Sequence, residues 1–250
     1  MEENGFVNGF STRLGGVSAF PENDLNLAGF GEDTDANIFE NRRRFLEVIA
    51  RDFLLSTVWQ VHGDAVKIVK NLTEARDGNG KFDALASNLP DVLAGIKTAD
   101  CVPILIGDPK TKAFAAVHAG WRGTVESIAK KTIEKMRLEF GAKPEDLICV
   151  VGAAATCRNY EIGQDVIDAF AEKFSDSEKF FTPTRQNHAL VDLHLANKQQ
   201  LVSAGVLPEN IYVAPFCTME RADLFFSYRK EKKLYGKTGR LMSVIGLKKI

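Results

Sequence analysis

Residues 102–118 read VPILIGDPKTKAFAAVH, which is two apolar runs on either side of a turn. The runs at 102–106 and 113–118 are short and bounded by turn residues, a pattern typical of buried strands. The GDPK segment between them is a turn signal. The stretch therefore predicts two neighbouring strands. Cys101 lies just before the first strand and His118 ends the second, so both side chains are expected in one region of a sheet.

A second imidazole comes from His62, in the segment WQVHG at residues 59–63. Taken singly, a cysteine in an apolar run is usually a small buried hydrophobe, and a single histidine is usually a satisfied polar group. Taken together, two imidazoles and a thiolate can hold a zinc ion and leave its fourth position open for water or substrate. The sequence therefore predicts a catalytic metal centre formed by His62, Cys101 and His118.

The remaining cysteines and histidines do not suggest a competing site. Cys149 lies in a short apolar run and is predicted to be strand core, while Cys157 and Cys217 lie in loop-like contexts. No CxxC pair is present, so zinc fingers and thioredoxin-type redox chemistry are unsupported. His188 and His194, in a Gln/Asn-rich loop and at a helix start, are predicted to have solvent or capping roles, so no fourth ligand is expected.

Length and composition limit the number of domains, the partners and the location that can be expected. A chain of 250 residues with 45% hydrophobic residues can bury a large core, and no linker-like stretch divides it, so one domain over residues 1–250 is expected. A net charge of −1 argues against a nucleic-acid partner. The acidic start lacks the apolar region of a signal peptide, and no run approaches the roughly 20 apolar residues that cross a bilayer. A soluble, cytoplasmic protein with reduced cysteines and no membrane partner is expected.

The order of predicted elements is too irregular for repeated βαβ units. We expect an α+β fold in which a mixed β-sheet is flanked by helices. Helices are predicted at residues 36–50, 124–140, 164–174 and 192–204, with Thr124 as an N-cap. Strands are predicted at residues 5–10, 57–69, 92–97, 102–106, 113–118, 147–151 and 211–214. Residues 224–228 and 241–245 are predicted to form a hairpin whose tip is the basic segment 230–237.

A possible anion site follows the strand that ends at His118. The segment HAGWRGT at residues 118–124 runs through two glycines into a helix start, where backbone N–H groups and the helix dipole attract anions. Arg122 would strengthen that attraction. A tight turn with a surface arginine explains the same spacing, so the motif alone does not decide between the two interpretations.

The chain resembles the YfiH-type, or laccase-domain, proteins over nearly its whole length. Bacterial members have been described as polyphenol oxidases and as purine nucleoside phosphorylases with adenosine deaminase activity. The most specific matches are ADCVP at 99–103 and HAGWRG at 118–123. Further matches are STRLGGVS at 11–18, LNL at 25–27, NR at 41–42, QVHG at 60–63, FDAL at 82–85, YEIG at 160–163, DLFFSYR at 223–229 and GR at 239–240. One segment, VGAAATC at 151–157, departs from the family's usual IGPCIG-like pattern.

This resemblance implies a YfiH-type fold related to the toxin deamidases, and His62, Cys101 and His118 as metal ligands and catalytic residues. The expected cofactor is zinc, with copper as the alternative. The expected substrates are a purine nucleoside and phosphate, with a coordinated water for attack at C6 of adenosine and phosphate for attack at C1′. Substrate contacts are expected from Arg13, Gln60, Asp83, Asp100, Arg122 and Arg229, of which Asp83 and Asp100 are also candidate proton donors.

Other functions stay open at this point. The chain has only four histidines, too few for the copper sites of a multicopper oxidase, but one copper at the His-Cys-His group could support weak phenol oxidation. A Cys-His hydrolase would use Cys101 as nucleophile and His118 as base without metal, on a substrate such as the muramyl-amino acid of a peptidoglycan precursor. A purely structural metal would require a fourth protein ligand.

Overall fold

The computed structural model describes residues 1–19, 24–28 and 33–249. The described helices are α1 (Asp35–Ile49), α2 (Leu72–Arg76), α3 (Trp121–Val125), α4 (Ile128–Phe140), α5 (Gln164–Lys173), α6 (Leu193–Ser203) and α7 (Tyr228–Tyr235). The described strands are β1 (Phe6–Phe10), β2 (Leu14–Ser18), β3 (Leu54–Ser56), β4 (Val66–Val69), β5 (Ala84–Ser87), β6 (Val92–Thr98), β7 (Val102–Gly107), β8 (Phe114–Ala119), β9 (Ile148–Val151), β10 (Glu161–Gly163), β11 (Phe181–Arg185), β12 (His188–Val191), β13 (Ile211–Val213) and β14 (Leu241–Leu247).

The largest sheet has the strand order β13-β9-β7-β8-β5-β4 and mixes parallel with antiparallel pairs. Its centre is the predicted pair β7 and β8, which run antiparallel with Pro103 opposite His118. Every residue of these two strands is buried, as expected for continuous apolar runs covered on both faces. This register brings His118 next to the start of β7, and therefore next to Cys101.

The predicted α+β fold with mixed sheet is confirmed, but the strands form three sheets rather than one. A four-stranded sheet has the order β1-β14-β6-β3, and a three-stranded sheet has the order β10-β12-β11. One apolar cluster joins the four-stranded and six-stranded sheets, and includes Phe6, Ile96, Leu105 and Phe114. A second cluster packs α4, α5 and α6 against the six-stranded sheet. The core is therefore layered, and the strand ends around Cys101 lie at one edge of these layers.

The predicted C-terminal hairpin is wrong. Residues 241–247 form β14, which pairs antiparallel with both β1 and β6, while residues 224–228 form no strand. The basic segment forms helix α7 instead of a hairpin tip. Ser227 caps this helix by accepting a hydrogen bond from the Lys230 amide, and Gly236 ends it with a φ of 72°.

Two predicted elements are divided by residues with positive φ. Residues 57–69 do not form one strand, because a loop that contains His62, with a φ of 60°, separates β3 from β4. The predicted helix at 124–140 is broken at Ser127, whose φ is also 60°. The first part, α3, starts after Gly120, so Thr124 is not an N-cap. The helices predicted at 36–50, 164–174 and 192–204 agree with α1, α5 and α6 to within one residue at each end.

Among the described residues, no helix combines the length and the apolar character needed to cross a membrane.

Candidate metal centre and its cavity

The structure brings together the three side chains that the sequence singled out as metal ligands. The ligand atoms of His62, Cys101 and His118 all lie within 4.8 Å of one another. The two imidazole rings meet edge to face, with 4.9 Å between their centroids. Cys101 directly precedes β7, His118 lies in β8, and His62 lies in the loop between β3 and β4, so the group depends on strand pairing and on one loop.

Asp83 contacts two of the three chain segments that carry these side chains. Its carboxylate accepts hydrogen bonds from the backbone N–H groups of Val61, His62 and Gly63, at 3.1, 2.9 and 2.7 Å. The Nδ1 atom of His118 lies 2.8 Å from the same carboxylate. A carboxylate that accepts a hydrogen bond from Nδ1–H leaves Nε2 as the ring nitrogen for a metal. Asp83 therefore orients the His118 ring and holds the His62 loop.

The charges of the group favour the thiolate form of Cys101. Burial by itself would raise the pKa of Cys101, but His118 and His62 lower it to about 6. Burial would lower the pKa of His118, but the Cys101 thiolate and the Asp83 carboxylate raise it to about 9. Without a metal, Cys101 and His118 therefore form a thiolate–imidazolium pair near neutral pH, and a metal that bound the group would displace the proton from His118 Nε2. The thiolate is the form of cysteine that binds metals and acts as a nucleophile.

The backbone approaches the group closely at Gly120. A Cβ atom there would lie 3.1 Å from Cys101 Sγ and 3.1 Å from His62 Cδ2, closer than ordinary van der Waals contact. A side chain at this position would crowd two of the three candidate ligands. Only glycine leaves this side of the group clear.

The other two histidines have partners elsewhere. The His194 ring nitrogen Nε2 lies 3.0 Å from the Gly152 carbonyl oxygen, and His188 Nδ1 lies 2.9 Å from the Gln186 carbonyl oxygen. Within the described part of the chain, the His-Cys-His group contains no fourth histidine, cysteine or carboxylate donor. Three donors without a fourth fit the ligand number of a catalytic zinc site rather than a structural one.

A cavity of about 500 Å³ opens beside the three candidate ligands. Three arginine–aromatic stacks contribute to its wall. The guanidinium carbons of Arg122, Arg229 and Arg240 lie 4.3, 4.9 and 5.7 Å from the ring centroids of Trp121, Tyr160 and Tyr228 respectively. Trp59 and Lys97 also line the cavity. The wall therefore offers both flat π surfaces and positive charge.

Asp100 ties this wall to the metal centre. It is buried, directly precedes Cys101 and has a φ of 82°. Its carboxylate accepts hydrogen bonds from the hydroxyls of Thr218 and Ser227 at 2.6 and 3.0 Å, and from the Arg229 amide at 2.6 Å. Burial raises its pKa, and these donors partly offset that effect. Asp100 therefore anchors the start of α7, which carries Tyr228 and Arg229 into the wall.

Four predicted substrate contacts line the cavity, namely Gln60, Asp100, Arg122 and Arg229. The Gln60 amide is largely engaged, because it donates to the Lys97 carbonyl at 2.7 Å and accepts from the Lys97 amide at 2.8 Å. Arg122 and Arg229 present stacked guanidinium groups. This geometry favours the two arginines for substrate contact, while Gln60 and Asp100 mainly hold the wall in place.

Arg13 and Asp83 lie outside the cavity lining, and their placement does not support the prediction that they contact substrate. Asp83 is fully buried behind the histidines. Arg13 is buried between two carboxylates, with Nη2 at 2.7 Å from Asp24 and Nη1 at 2.6 Å from Glu231. A guanidinium in such an ion-pair network joins α7 to the N-terminal strands and is not available to a ligand.

The sequence interpretation missed part of the cavity wall, namely Trp59, Lys97, Trp121, Tyr160, Tyr228 and Arg240. Five of these six lie inside or directly beside segments already used for the family resemblance, so proximity to those motifs was the available signal. Lys97 had no such signal. Burial lowers the pKa of its ammonium group to about 8, and its Nζ atom donates to the Val58 carbonyl at 2.6 Å.

Comparison with known proteins identifies the family. The family model described as "Multi-copper polyphenol oxidoreductase laccase" matches residues 7–248. The chain belongs to this YfiH-type laccase-domain family. The family description names copper chemistry, whereas the structure shows one group of three metal donors in the described residues. The name alone therefore does not identify the metal.

Relatives and solved structures agree with this assignment. The chain is 38% identical to a protein of Deinococcus radiodurans named purine nucleoside phosphorylase, over 95% of this chain and 88% of that one. It is 35% identical to purine nucleoside phosphorylase YfiH of Shigella flexneri, over 95% and 92% of the two chains. The crystal structure of the hypothetical protein YfiH of Bacillus licheniformis superposes with a TM-score of 0.92 at 30% identity, covering 99% of this chain and 94% of that one.

Proposed function

We propose that this chain is a zinc-dependent purine nucleoside phosphorylase that also deaminates adenosine. The observation that carries the proposal is a three-donor His-Cys-His group at a cavity whose wall combines aromatic rings with guanidinium groups. The names of the relatives from Deinococcus radiodurans and Shigella flexneri support the phosphorylase part. The substrates would be a purine nucleoside and inorganic phosphate.

The cavity suits a nucleoside in size and surface. Its volume of about 500 Å³ lies within the range of about 300–1,000 Å³ that is typical of small-molecule sites. Proteins bind nucleobases by stacking them on aromatic rings and on guanidinium planes. Trp121, Tyr160 and Tyr228 provide such rings, and each is already stacked with an arginine.

The arginines suit phosphate. In phosphorolysis, a phosphate oxygen forms a bond to C1′ of the ribose while the bond from C1′ to N9 breaks, which yields ribose 1-phosphate and the free base. Guanidinium groups bind phosphate oxygens through paired, charge-assisted hydrogen bonds. Arg122 and Arg229, on neighbouring parts of the wall, would hold the phosphate and orient it for this attack.

The three candidate ligands suit zinc. Zinc bound there would supply an open coordination position for Lewis-acid chemistry, on which the deamination of adenosine depends. The chain's own residues prepare the site. Asp83 holds Nδ1 of His118, the Cys101 thiol has a pKa of about 6 and is deprotonated at neutral pH, and Gly120 leaves room beside Cys101 and the His62 ring. A reducing cytoplasmic location would keep Cys101 available.

The test combines metal analysis with product analysis on the purified chain. Bound metals are quantified, and adenosine and inosine are then incubated with and without phosphate. Phosphate-dependent ribose 1-phosphate supports phosphorolysis, and ammonia from adenosine supports deamination. We expect Cys101→Ser to lose metal and activity together. The control Cys157→Ser changes a cysteine outside the cavity lining and should keep both. Full activity after exhaustive chelation would contradict the metal dependence.

The thiolate–imidazolium pair favours a second candidate function, a metal-free Cys-His hydrolase. In that case the Cys101 thiolate would attack a carbonyl carbon, His118 would donate its proton to the leaving group, and water would then hydrolyse the resulting thioester and release Cys101. The same variant separates the two proposals. If Cys101→Ser lost all activity while the chain kept its full complement of zinc, the nucleophile would replace the metal in the mechanism.

A further inference from the structure

A second cavity of about 330 Å³ adjoins the cavity beside the metal centre. We call them the outer and the inner cavity. They share four lining residues, Trp121, Arg122, Tyr160 and Arg229. The two stacked arginines therefore form a common boundary, and a ligand group in one cavity lies next to a ligand group in the other.

The outer cavity adds two basic side chains that the inner cavity lacks, Arg185 and His188. They lie on either side of the turn between β11 and β12. The His188 Nδ1 atom lies 2.9 Å from the Gln186 carbonyl oxygen. If Nδ1 donates to this carbonyl, the other ring nitrogen, Nε2, is left for a ligand.

Two carboxylates also line the outer cavity, and neither cancels the charge of the shared arginines. Glu161 is engaged by Arg185 Nη2 at 2.9 Å and by the Thr184 hydroxyl at 2.8 Å. Asp165 lies in the first turn of α5, where the positive end of the helix offsets its charge. Among the described residues, neither Arg122 nor Arg229 forms an ion pair with a carboxylate. The net charge of the side chains that line the outer cavity is therefore positive.

We propose that the outer cavity binds a phosphoryl group. This inference rests on the proposed function, because it assigns the inner cavity to the base and ribose of a nucleoside. Arg122 and Arg229 would hold the phosphoryl oxygens from the boundary, and Arg185 and His188 would hold them from the outer side. Inorganic phosphate and the 5′-phosphate of a nucleoside monophosphate present the same oxygens, so the site suits either source.

The test uses calorimetric titration of the full chain with inorganic phosphate, adenosine 5′-monophosphate and adenosine. Arg185→Gln removes the outer guanidinium. Its matched control is Arg158→Gln, because both arginines pair with one glutamate and are similarly exposed, at 62% and 61% of the side chain, while Arg158 lines neither cavity. We expect Arg185→Gln to weaken binding of a phosphoryl ligand about tenfold, as for a lost hydrogen bond between charged groups. Adenosine binding and the control should stay within a factor of two.

Comparison of the phosphate titration with the nucleotide titration identifies the source of the phosphoryl group. Weaker binding of both phosphoryl ligands would assign the site to free phosphate as well as to nucleotide, and weaker binding of the nucleotide alone would assign it to the 5′-phosphate. His188→Gln should change binding in the same direction as Arg185→Gln. Unchanged binding of both phosphoryl ligands in both variants would overturn the inference.

The outcome is separable from that of the proposed function. If the chain showed no phosphorolysis but its nucleotide binding depended on Arg185, the phosphoryl site in the outer cavity would be supported and the phosphorylase activity would be contradicted. If the chain catalysed phosphorolysis, and Arg185→Gln and His188→Gln both kept the Michaelis constant for phosphate and the affinity for nucleotide, the phosphorylase activity would be supported and the phosphoryl site in the outer cavity would be contradicted.

Discussion

Asp83 and Asp100 are two buried carboxylates next to the candidate metal centre, and they hold different parts of it. Asp83 accepts three backbone N–H groups of the His62 loop and the Nδ1 atom of His118. Asp100 accepts two hydroxyls and the Arg229 amide at the start of α7. One carboxylate positions candidate metal ligands, and the other positions the wall of the inner cavity.

Their charges respond differently to these surroundings. Burial would raise the pKa of both groups, but the cationic form of His118 brings the pKa of Asp83 below its ordinary value. Within the described residues, Asp100 accepts hydrogen bonds from two hydroxyls and one backbone amide, and these bonds and the Arg229 charge offset burial only in part, so the pKa of Asp100 is raised. A charged partner thus secures the metal side, whereas neutral hydrogen bonds secure the wall. Substitution of each aspartate should therefore affect different properties.

Asp83→Ala should produce the largest effect. It leaves three backbone N–H groups and a buried imidazole without their acceptor. Loss of one partner from a buried charged pair costs about 3 kcal/mol or more, and loss of an outer-shell partner lowers metal affinity about 10- to 100-fold. Urea unfolding and metal titration measure the two effects.

The control for this variant is Asp108→Ala. Asp108 is equally buried but lies in the β7–β8 turn, where it accepts bonds from Lys110 and Thr111. Its loss should lower stability without lowering metal affinity. Equal loss of metal affinity in both variants would mean that general destabilisation, rather than positioning by Asp83, controls the metal site.

Asp100→Asn should produce a smaller effect, on substrate rather than on metal. The amide keeps the shape of the carboxylate but cannot accept bonds through both of its polar atoms, so at least one of the three donors loses its partner. A lost hydrogen bond of this kind costs about 1–2 kcal/mol. We expect a higher Michaelis constant for the substrate, because α7 carries Tyr228 and Arg229. Steady-state kinetics at full metal loading measures it.

Ser227→Ala weakens the same contact from the helix side without changing a residue next to Cys101. The serine hydroxyl donates to Asp100 and caps α7. If both variants lost metal as fully as Asp83→Ala, the two carboxylates would not have separate roles.

The metal group was predictable because its determinants are local or lie on neighbouring strands. The apolar runs and the turn of residues 102–118 predicted the β7–β8 pair, and the pair brings Cys101 to His118. His62 was predicted to lie within a strand at residues 57–69, so its place in the group rested on its residue type and on the family resemblance. The φ of 60° that places its loop could not be read from a histidine.

The cavity wall was less predictable because it depends on contacts between distant segments. Strand β14 lies between β1 and β6, and its partners are far away in the sequence, so local pattern suggested a hairpin with residues 224–228 instead. Asp100 contacts Thr218 and Ser227 across more than 100 residues. No spacing rule connects such positions, so the roles of Tyr160, Tyr228 and Lys97 emerged only from the structure.

The smallest predicted effect is the influence of the two carboxylates on the pKa of Lys97, to which Asp83 contributes and Asp100 does not. Burial and Arg42 lower the pKa of Lys97 from 10.5 to about 8, and Asp83 opposes this shift, whereas Asp100 makes no resolved contribution. Between pH 8 and 10.5 the unfolded chain binds more protons at this lysine than the folded chain, so the contribution of Lys97 to the free energy of unfolding rises with pH.

Lys97→Met should remove that rise. Asp83→Asn should lower the folded pKa of Lys97 further, because the carboxylate that opposes the shift loses its charge, so that the rise begins at lower pH. Asp100→Asn should leave the pH range of this rise unchanged. Urea unfolding between pH 7 and 10, with Lys97→Met as the reference in each background, measures these shifts. Equal shifts from both aspartate variants would mean that the two carboxylates are electrostatically equivalent at Lys97.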